Sequence, residues 1–111
     1  MTGGIRKIKD KNRVKRAQVQ HARTRGLERY GAELSAADLV RMVGIIQDPA
    51  ALPEHRRFVC RKSNRITVFQ VRLDGDWYNV CYDSRRKTIA TLLPKDAREA
   101  QAFPVHQEPN P

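Results

Sequence analysis

The alternation of apolar and polar positions changes period once along the chain. Val19, Ala22, Gly26 and Leu27 fall at spacings that line one side of a helix from about Ala17, while charged residues take the other side. Gly31 is placed to end that helix. The stretch "SAAD", Ser35 to Asp38, then reads as an N-cap with an acid in the first turn. Leu39, Met42, Val43 and Ile46 follow as an i, i+3, i+4, i+7 stripe and are expected in the core. Pro49 and Pro53 punctuate a loop.

After the loop the pattern is extended. "RRFVCRK" (56–62), "RITVFQVRL" (65–73), "WYNVCYD" (77–83) and "KTIATLL" (87–93) are rich in β-branched and aromatic residues. The gaps are short and hold Ser63-Asn64, Asp74-Gly75-Asp76 and Ser84-Arg85-Arg86, which predicts an antiparallel meander of four strands. Pro94 stops the last strand. "KDAREA" offers one helical turn, and "FPVHQEPNP" reads as a disordered end, with His106 a tail residue. The expected fold is α+β, two N-terminal helices packed on one face of a four-stranded antiparallel sheet.

Charge then divides the chain. It carries 22 Lys plus Arg against 12 Asp plus Glu over 111 residues, a net charge of +10, so a polyanion is the expected partner and nucleic acid the commonest one. Residues 1–16 hold Arg6, Lys7, Lys9, Lys11, Arg13, Lys15 and Arg16 against Asp10 alone. With few apolar residues to fold around, this segment reads as a flexible basic arm, either a solubilising tail or a salt-sensitive grip on phosphates in which Arg13, Lys15 and Arg16 take part. Residues 17–94 are the expected folded domain and 95–111 a C-terminal turn and tail. No apolar run approaches the roughly 20 residues that span a bilayer, and no apolar stretch follows the basic N-terminus, so the expectation is a soluble cytoplasmic protein with no membrane partner. Cys60 and Cys81 lie in separate apolar runs without C-x-x-C spacing or clustered histidines, which points to interior thiols and to neither a metal nor a cofactor.

The candidate chemistry sits in "HARTRGLERYG". On a helix His21, Arg25, Glu28 and Arg29 fall at i, i+4, i+7 and i+8 and project from one stripe, with Arg23 off it. Such a stripe is either a solvated face laced with ion pairs or a phosphate-chemistry face, with a histidine to move a proton and two guanidiniums to hold an anion. In the last strand, alternation puts Ile89, Thr91 and Leu93 on one face and Ala90 and Leu92 on the other, which leaves Thr91 as a lone hydroxyl among apolar residues. Tyr78 and Tyr82 share a face and are candidates for stacking on bases, while Trp77 is expected to enter the core or cover its edge. Arg85, Arg86 and Lys87 form a basic turn, either a phosphate contact or a solvated hairpin tip. Arg56, Arg57, Arg61 and Lys62 extend the positive charge, and His55 reads as a surface residue.

Taken together, "HARTRGLERYG", the capped helix at "SAADLVRMV" and the strands ending in "GDWYNVCYDSRRKTIATLLP" resemble the barnase, colicin and RelE-like ribonuclease superfamily. The likeness is to short, often phage-borne or mobile-element members with an H-A-x-x-R-x-x-E-R helix and a terminal T-strand, and it covers about residues 20–94. Tyr30 stands where the motif usually has glycine, with Gly31 one place later. The resemblance implies a metal-independent, toxin-like endoribonuclease acting on tRNA or mRNA. His21 would be the general acid or base, Arg25 and Arg29 the phosphate clamps, Glu28 an orienting or second proton-transfer group, and Thr91 a ligand for a phosphate oxygen. The ribose 2′-hydroxyl would attack the adjacent phosphorus and leave a cyclic phosphate. A cognate inhibitor belongs to this picture. The alternative is a member that has kept the fold without the chemistry. It would bind nucleic acid, or inhibit or redirect a host enzyme such as an RNA polymerase or a nuclease, as in phage takeover of a host. A third reading, an accessory packaging protein, rests on the basic arm.

Overall fold

Helix α1 spans Gly3–Tyr30, 28 residues, in a computed structural model that describes residues 3–101, with side chains from Arg13 onward. The segment read as a flexible arm is therefore, from Gly3 on, the N-terminal half of this helix. The reason is propensity: Lys, Arg, Gln and Ala are good helix formers, and neither Gly nor Pro interrupts the chain between Gly4 and Gly26. A segment too polar to build a core can still extend a helix that packing has nucleated. Gly31 ends α1 at φ +63°, its N–H bonded to the Leu27 carbonyl at 3.0 Å, an αL cap that glycine adopts without steric cost. Gly26 is buried where the returning chain crosses it, and a Cβ there would lie 2.9 Å from Leu34 Cδ1.

The second helix, α2, spans Ala36–Gln47 and opens with the expected cap, elaborated into a full capping box between Ser35 and Asp38. Its other end is closed from the sheet. Arg56 donates to the carbonyls of Ile46 at 2.7 Å and Asp48 at 2.9 Å, placing a cation where the helix carbonyls point outward.

The strands are β1 (Arg56–Arg61), β2 (Ile66–Leu73), β3 (Asp76–Asp83) and β4 (Thr88–Leu92), antiparallel in the order β1-β2-β3-β4. One face carries Val71, Leu73, Tyr78, Val80, Tyr82, Ile89 and Leu92 against Ala22, Leu34, Leu39, Met42 and Ile46 of the helical layer. Leu39, Met42 and Ile46 are buried as expected, and Val43 packs half-buried beside them.

Strict alternation in β4 fails. Tyr82 pairs with Ile89 and Cys81 with Thr91, so Ala90 is an extra residue in a bulge. Ile89 and Leu92 consequently share the core face, and Thr91 sits on the other face beside Cys81. An inserted residue resets the two-residue period for everything beyond it.

That second face is covered by the chain after β4, so residues 95–101 belong to the fold. The Asn79 side chain donates to the Pro94 carbonyl at 3.0 Å, Ala97 and Ala100 are buried, and Lys62 pairs with Glu99 at 2.8 Å. A turn of 3-10 helix at Arg98–Ala100 supplies the expected helical turn. Beneath this strap lie Val68, Gln70 and Cys81. Residues 102–111, His106 among them, are outside the described residues.

Helix α1 is locked to the β4 side by its last turn. The Tyr30 hydroxyl accepts from the Asn79 N–H at 2.9 Å and donates to the Leu93 carbonyl at 2.6 Å, standing in for a ladder bond between β3 and the end of β4. Burial pushes the Tyr30 hydroxyl up to a pKa of about 12, so it remains a donor across the physiological range.

Two substitutions test this packing. Tyr30→Phe removes the bridge and leaves two backbone groups unpaired, with an expected loss of roughly 1–3 kcal/mol in urea unfolding. Leu39→Ala should cost about 2–5 kcal/mol and half-buried Val43→Ala clearly less; equal losses would contradict the assigned helix orientation.

Candidate nucleic-acid interface

The residues of the His21 stripe meet different fates. His21 is exposed, and among the described residues no side-chain hydrogen bond engages it. Arg25, half-buried, pairs with exposed Glu28 at 2.7 Å, the i,i+3 contact of a solvated helix face. Arg29 turns to the sheet and donates to the Leu92 carbonyl, whose neighbour in sequence is Thr91. Arg29 and the Thr91 segment are therefore brought to the same edge. Thr91 itself is half-buried, and among the described residues no side-chain hydrogen bond joins it to His21 or Arg25. Arg23, off the stripe, ties α1 to the chain that follows by donating to the Leu34 carbonyl at 2.8 Å.

The basic residues of α1 stand elsewhere. Residues 13–17 are all exposed, and Gln18 ties α1 to the sheet by donating to Asp83 at 3.0 Å. Lys15 and Arg16 line an open groove of about 530 Å³ with Val19, Gln20 and Ala36, at the junction with the start of α2. A second groove, also about 530 Å³, continues past Gln20 along Arg23, Thr24 and Leu27 to Glu33, Leu34 and Ser35. Neither groove is lined by His21, Arg25, Glu28, Arg29 or Thr91.

The basic turn after β3 is organised by an acid. Asp83 is fully buried; its carboxylate accepts from the backbone N–H groups of Arg85 and Arg86, each at 3.0 Å, and from the side chains of Gln18 (3.0 Å), Arg65 (2.7 Å) and Arg86 (3.3 Å). Burial alone would raise the Asp83 carboxyl, but the hydrogen bonds from Arg65 and Gln18 outweigh it and hold the group below the usual carboxylate range. Arg86 is thus engaged inward, while Arg85 and Lys87 are exposed.

Tyr78 and Tyr82 do not offer their rings to bases. They are only 5% and 8% exposed, because β3 is an inner strand whose Tyr78–Val80–Tyr82 face lies under the helices. Tyr82 bonds to Gln47, and the Tyr78 ring rests 5.0 Å from that of Tyr30. Trp77, half-buried, faces the other way beneath the Arg57 guanidinium at 5.0 Å. The exposed ring on the sheet is Phe58 of β1, at 58%. Nothing in the local pattern of "RRFVCRK" separated Phe58 from the core aromatics; its position on an edge strand did. Arg56 is committed to α2, Lys62 to Glu99, and Arg61 to the carbonyls of Ser63 and Asn64. His55 is exposed, as expected.

Cys60 is half-buried and Cys81 buried, both free; burial raises the Cys81 thiol. Among the described residues no group of three or more His, Cys, Asp or Glu could hold a metal, and no helix is long and apolar enough to cross a membrane. No family model, curated protein or solved structure matches the chain.

The Asp83 cluster yields a pH prediction. The folded carboxyl titrates below the unfolded one, so its stabilisation is complete above the ordinary Asp range near pH ~4 and is lost as pH falls through the depressed folded value. Asp83→Asn should lower stability at pH 7 by roughly 1–3 kcal/mol and flatten the acid limb of the stability profile. An unchanged acid limb would remove Asp83 as its source.

Proposed function

We propose that the protein binds nucleic acid through the phosphate backbone, with α1 as the gripping element, and that it does not cut what it binds. The observation that carries this reading is the open groove lined by Lys15 and Arg16 on the exposed stretch of α1 at residues 13–17. Arg6, Lys7, Lys9 and Lys11 precede them in sequence on the same helix. A rod of about 42 Å at 1.5 Å per residue is long enough to meet several phosphates in succession. Exposed Arg85 and Lys87 supply further positive charge at the turn organised by Asp83, which also receives Gln18 of α1.

The cleaving alternative has less support. In it Arg25 and Arg29 clamp the phosphate, yet one is paired with Glu28 and the other with the Leu92 carbonyl. Each would give up a formed hydrogen bond to serve the substrate.

The test is a salt titration of binding to tRNA and to duplex DNA, with wild type and Lys15→Gln/Arg16→Gln protein. We expect log K against log salt to fall steeply for wild type. For duplex DNA the slope should shrink by about 2 in the double variant, since each neutralised phosphate contributes ~0.9. RNA incubated with wild type in EDTA should remain intact. Cleavage that leaves cyclic phosphates and disappears in His21→Ala protein would overturn the binding reading in favour of the nuclease.

A further inference from the structure

Arg65, the residue before β2, and Arg86, in the turn between β3 and β4, reach the same atom. Asp83 Oδ2 accepts from Arg65 Nη2 at 2.7 Å and from Arg86 Nη1 at 3.3 Å. Their backbones are pinned there as well. The Arg65 carbonyl accepts from the Ser84 N–H at 2.8 Å and the Ser84 hydroxyl at 3.2 Å, and the Arg86 N–H donates to Asp83 Oδ1 at 3.0 Å. Two guanidiniums from separate segments are thus held side by side, and little rotamer freedom remains to be lost when they meet a ligand. Arg25 and Arg29, by contrast, end on separate acceptors.

The acid that holds the pair is out of reach of solvent. The Asp83 side chain is 0% exposed, while those of Arg65 and Arg86 are 33% and 30% exposed. An ion arriving from water therefore meets the cations and not the carboxylate. One nitrogen of each guanidinium is used on Asp83, and among the described residues the remaining side-chain N–H groups of both make no hydrogen bond. A guanidinium carries its donors in a planar fork, so a second oxyanion can be taken on without releasing the first. The two bonded nitrogens lie within about 6 Å of each other, a separation at which cations repel, and one carboxylate offsets only one of the two charges.

The neighbours narrow the ligand to phosphate. Arg85 and Lys87 of the same turn are exposed, and Gln18, which shares Asp83 Oδ2, joins the spot to the helix that carries Lys15 and Arg16. A tetrahedral phosphate offers an oxygen to each fork, and a strand supplies further phosphates to the flanking cations, which an isolated carboxylate does not. We infer that Arg65 and Arg86, set by Asp83, seat one phosphate group of a nucleic-acid strand on their outer edges. The inference rests on the nucleic-acid reading and deepens it: α1 grips phosphates anywhere along a strand, and this pair fixes one of them.

The experiment follows binding of 3′-fluorescein 12-nucleotide single strands by anisotropy, one strand with a 5′-hydroxyl and one with a 5′-phosphate. Arg86→Gln keeps the Arg65–Asp83 pair and should fold, with circular dichroism matching wild type. It should lower affinity roughly 10- to 150-fold, the range of a hydrogen bond to a charged group. The charge-matched Arg85→Gln should cost no more than about 5-fold, the worth of an exposed charge contact. A loss shared by both strands puts an internal diester in the seat, and a loss confined to the 5′-phosphorylated strand puts a chain end there. Should Arg86→Gln unfold, Arg65→Lys makes the same test, since it keeps a cation on Asp83 but lacks the fork; wild-type affinity in that variant overturns the seat. Equal effects of Arg86→Gln and Arg85→Gln, with Lys15→Gln/Arg16→Gln weakening both strands, overturn the seat and keep the grip. Wild type that binds neither strand overturns both. Poly-glutamate that binds wild type as tightly as the strands do, and binds Arg86→Gln much less, assigns the pair to carboxylates and also overturns the seat.

Discussion

The Asp83 carboxylate is the constraint on which the assembly of this fold depends. A buried acid is tolerated only when its lone pairs are filled, and here donors arrive from α1, from the residue before β2 and from the turn between β3 and β4. None of these partners is near Gln18 in sequence, so helix placement and strand pairing are satisfied together or not at all. Tyr30 performs the complementary task at the other end of the same helix segment, where its hydroxyl replaces a missing rung between the strands. Between these points Ala22 and Gly26 let the helix approach closely, since neither carries a side chain beyond Cβ.

This fixed segment explains why the surface of α1 divides. Past Gln18, Arg23 and Arg29 are drawn to backbone carbonyls, those of Leu34 and Leu92, and Arg25 is held by Glu28 on the same helix. Before it, Lys15 and Arg16 face an open groove. One helix thus serves as a structural clamp around Arg23 and Arg29 and as a charged surface around Lys15 and Arg16. An arginine count does not distinguish the two uses; the acceptor each arginine finds does.

The parts legible in the sequence are those governed by short-range pattern. All four strands appear close to their expected limits, and the Ser35–Asp38 cap and the Gly31 stop occur where local chemistry put them. What escaped depends on contacts distant in sequence. The bulge at Ala90 turned Thr91 away from the core face, a single-residue event that alternation cannot register. The burial of Tyr78 and Tyr82 follows from which face the helices cover, and the exposure of Phe58 from its being on an edge strand. Residues 13–16, polar enough to suggest an arm, are carried as helix because the segment behind them is anchored. Among the candidate catalytic residues, the stripe of His21, Arg25, Glu28 and Arg29 was readable as a helix face; the acceptors that Arg25 and Arg29 find were not.

The sheet has two edges and α1 attends to one of them. The Leu92 carbonyl, at the margin of the sheet, is taken by Arg29, so on the β4 side a helix side chain holds a backbone acceptor that an added strand would need. Strand addition at that margin would first have to displace the guanidinium. The β1 margin, interrupted by the bulge between Phe58 and Cys60, meets edge-to-edge growth with a different obstacle, a break in the ladder itself.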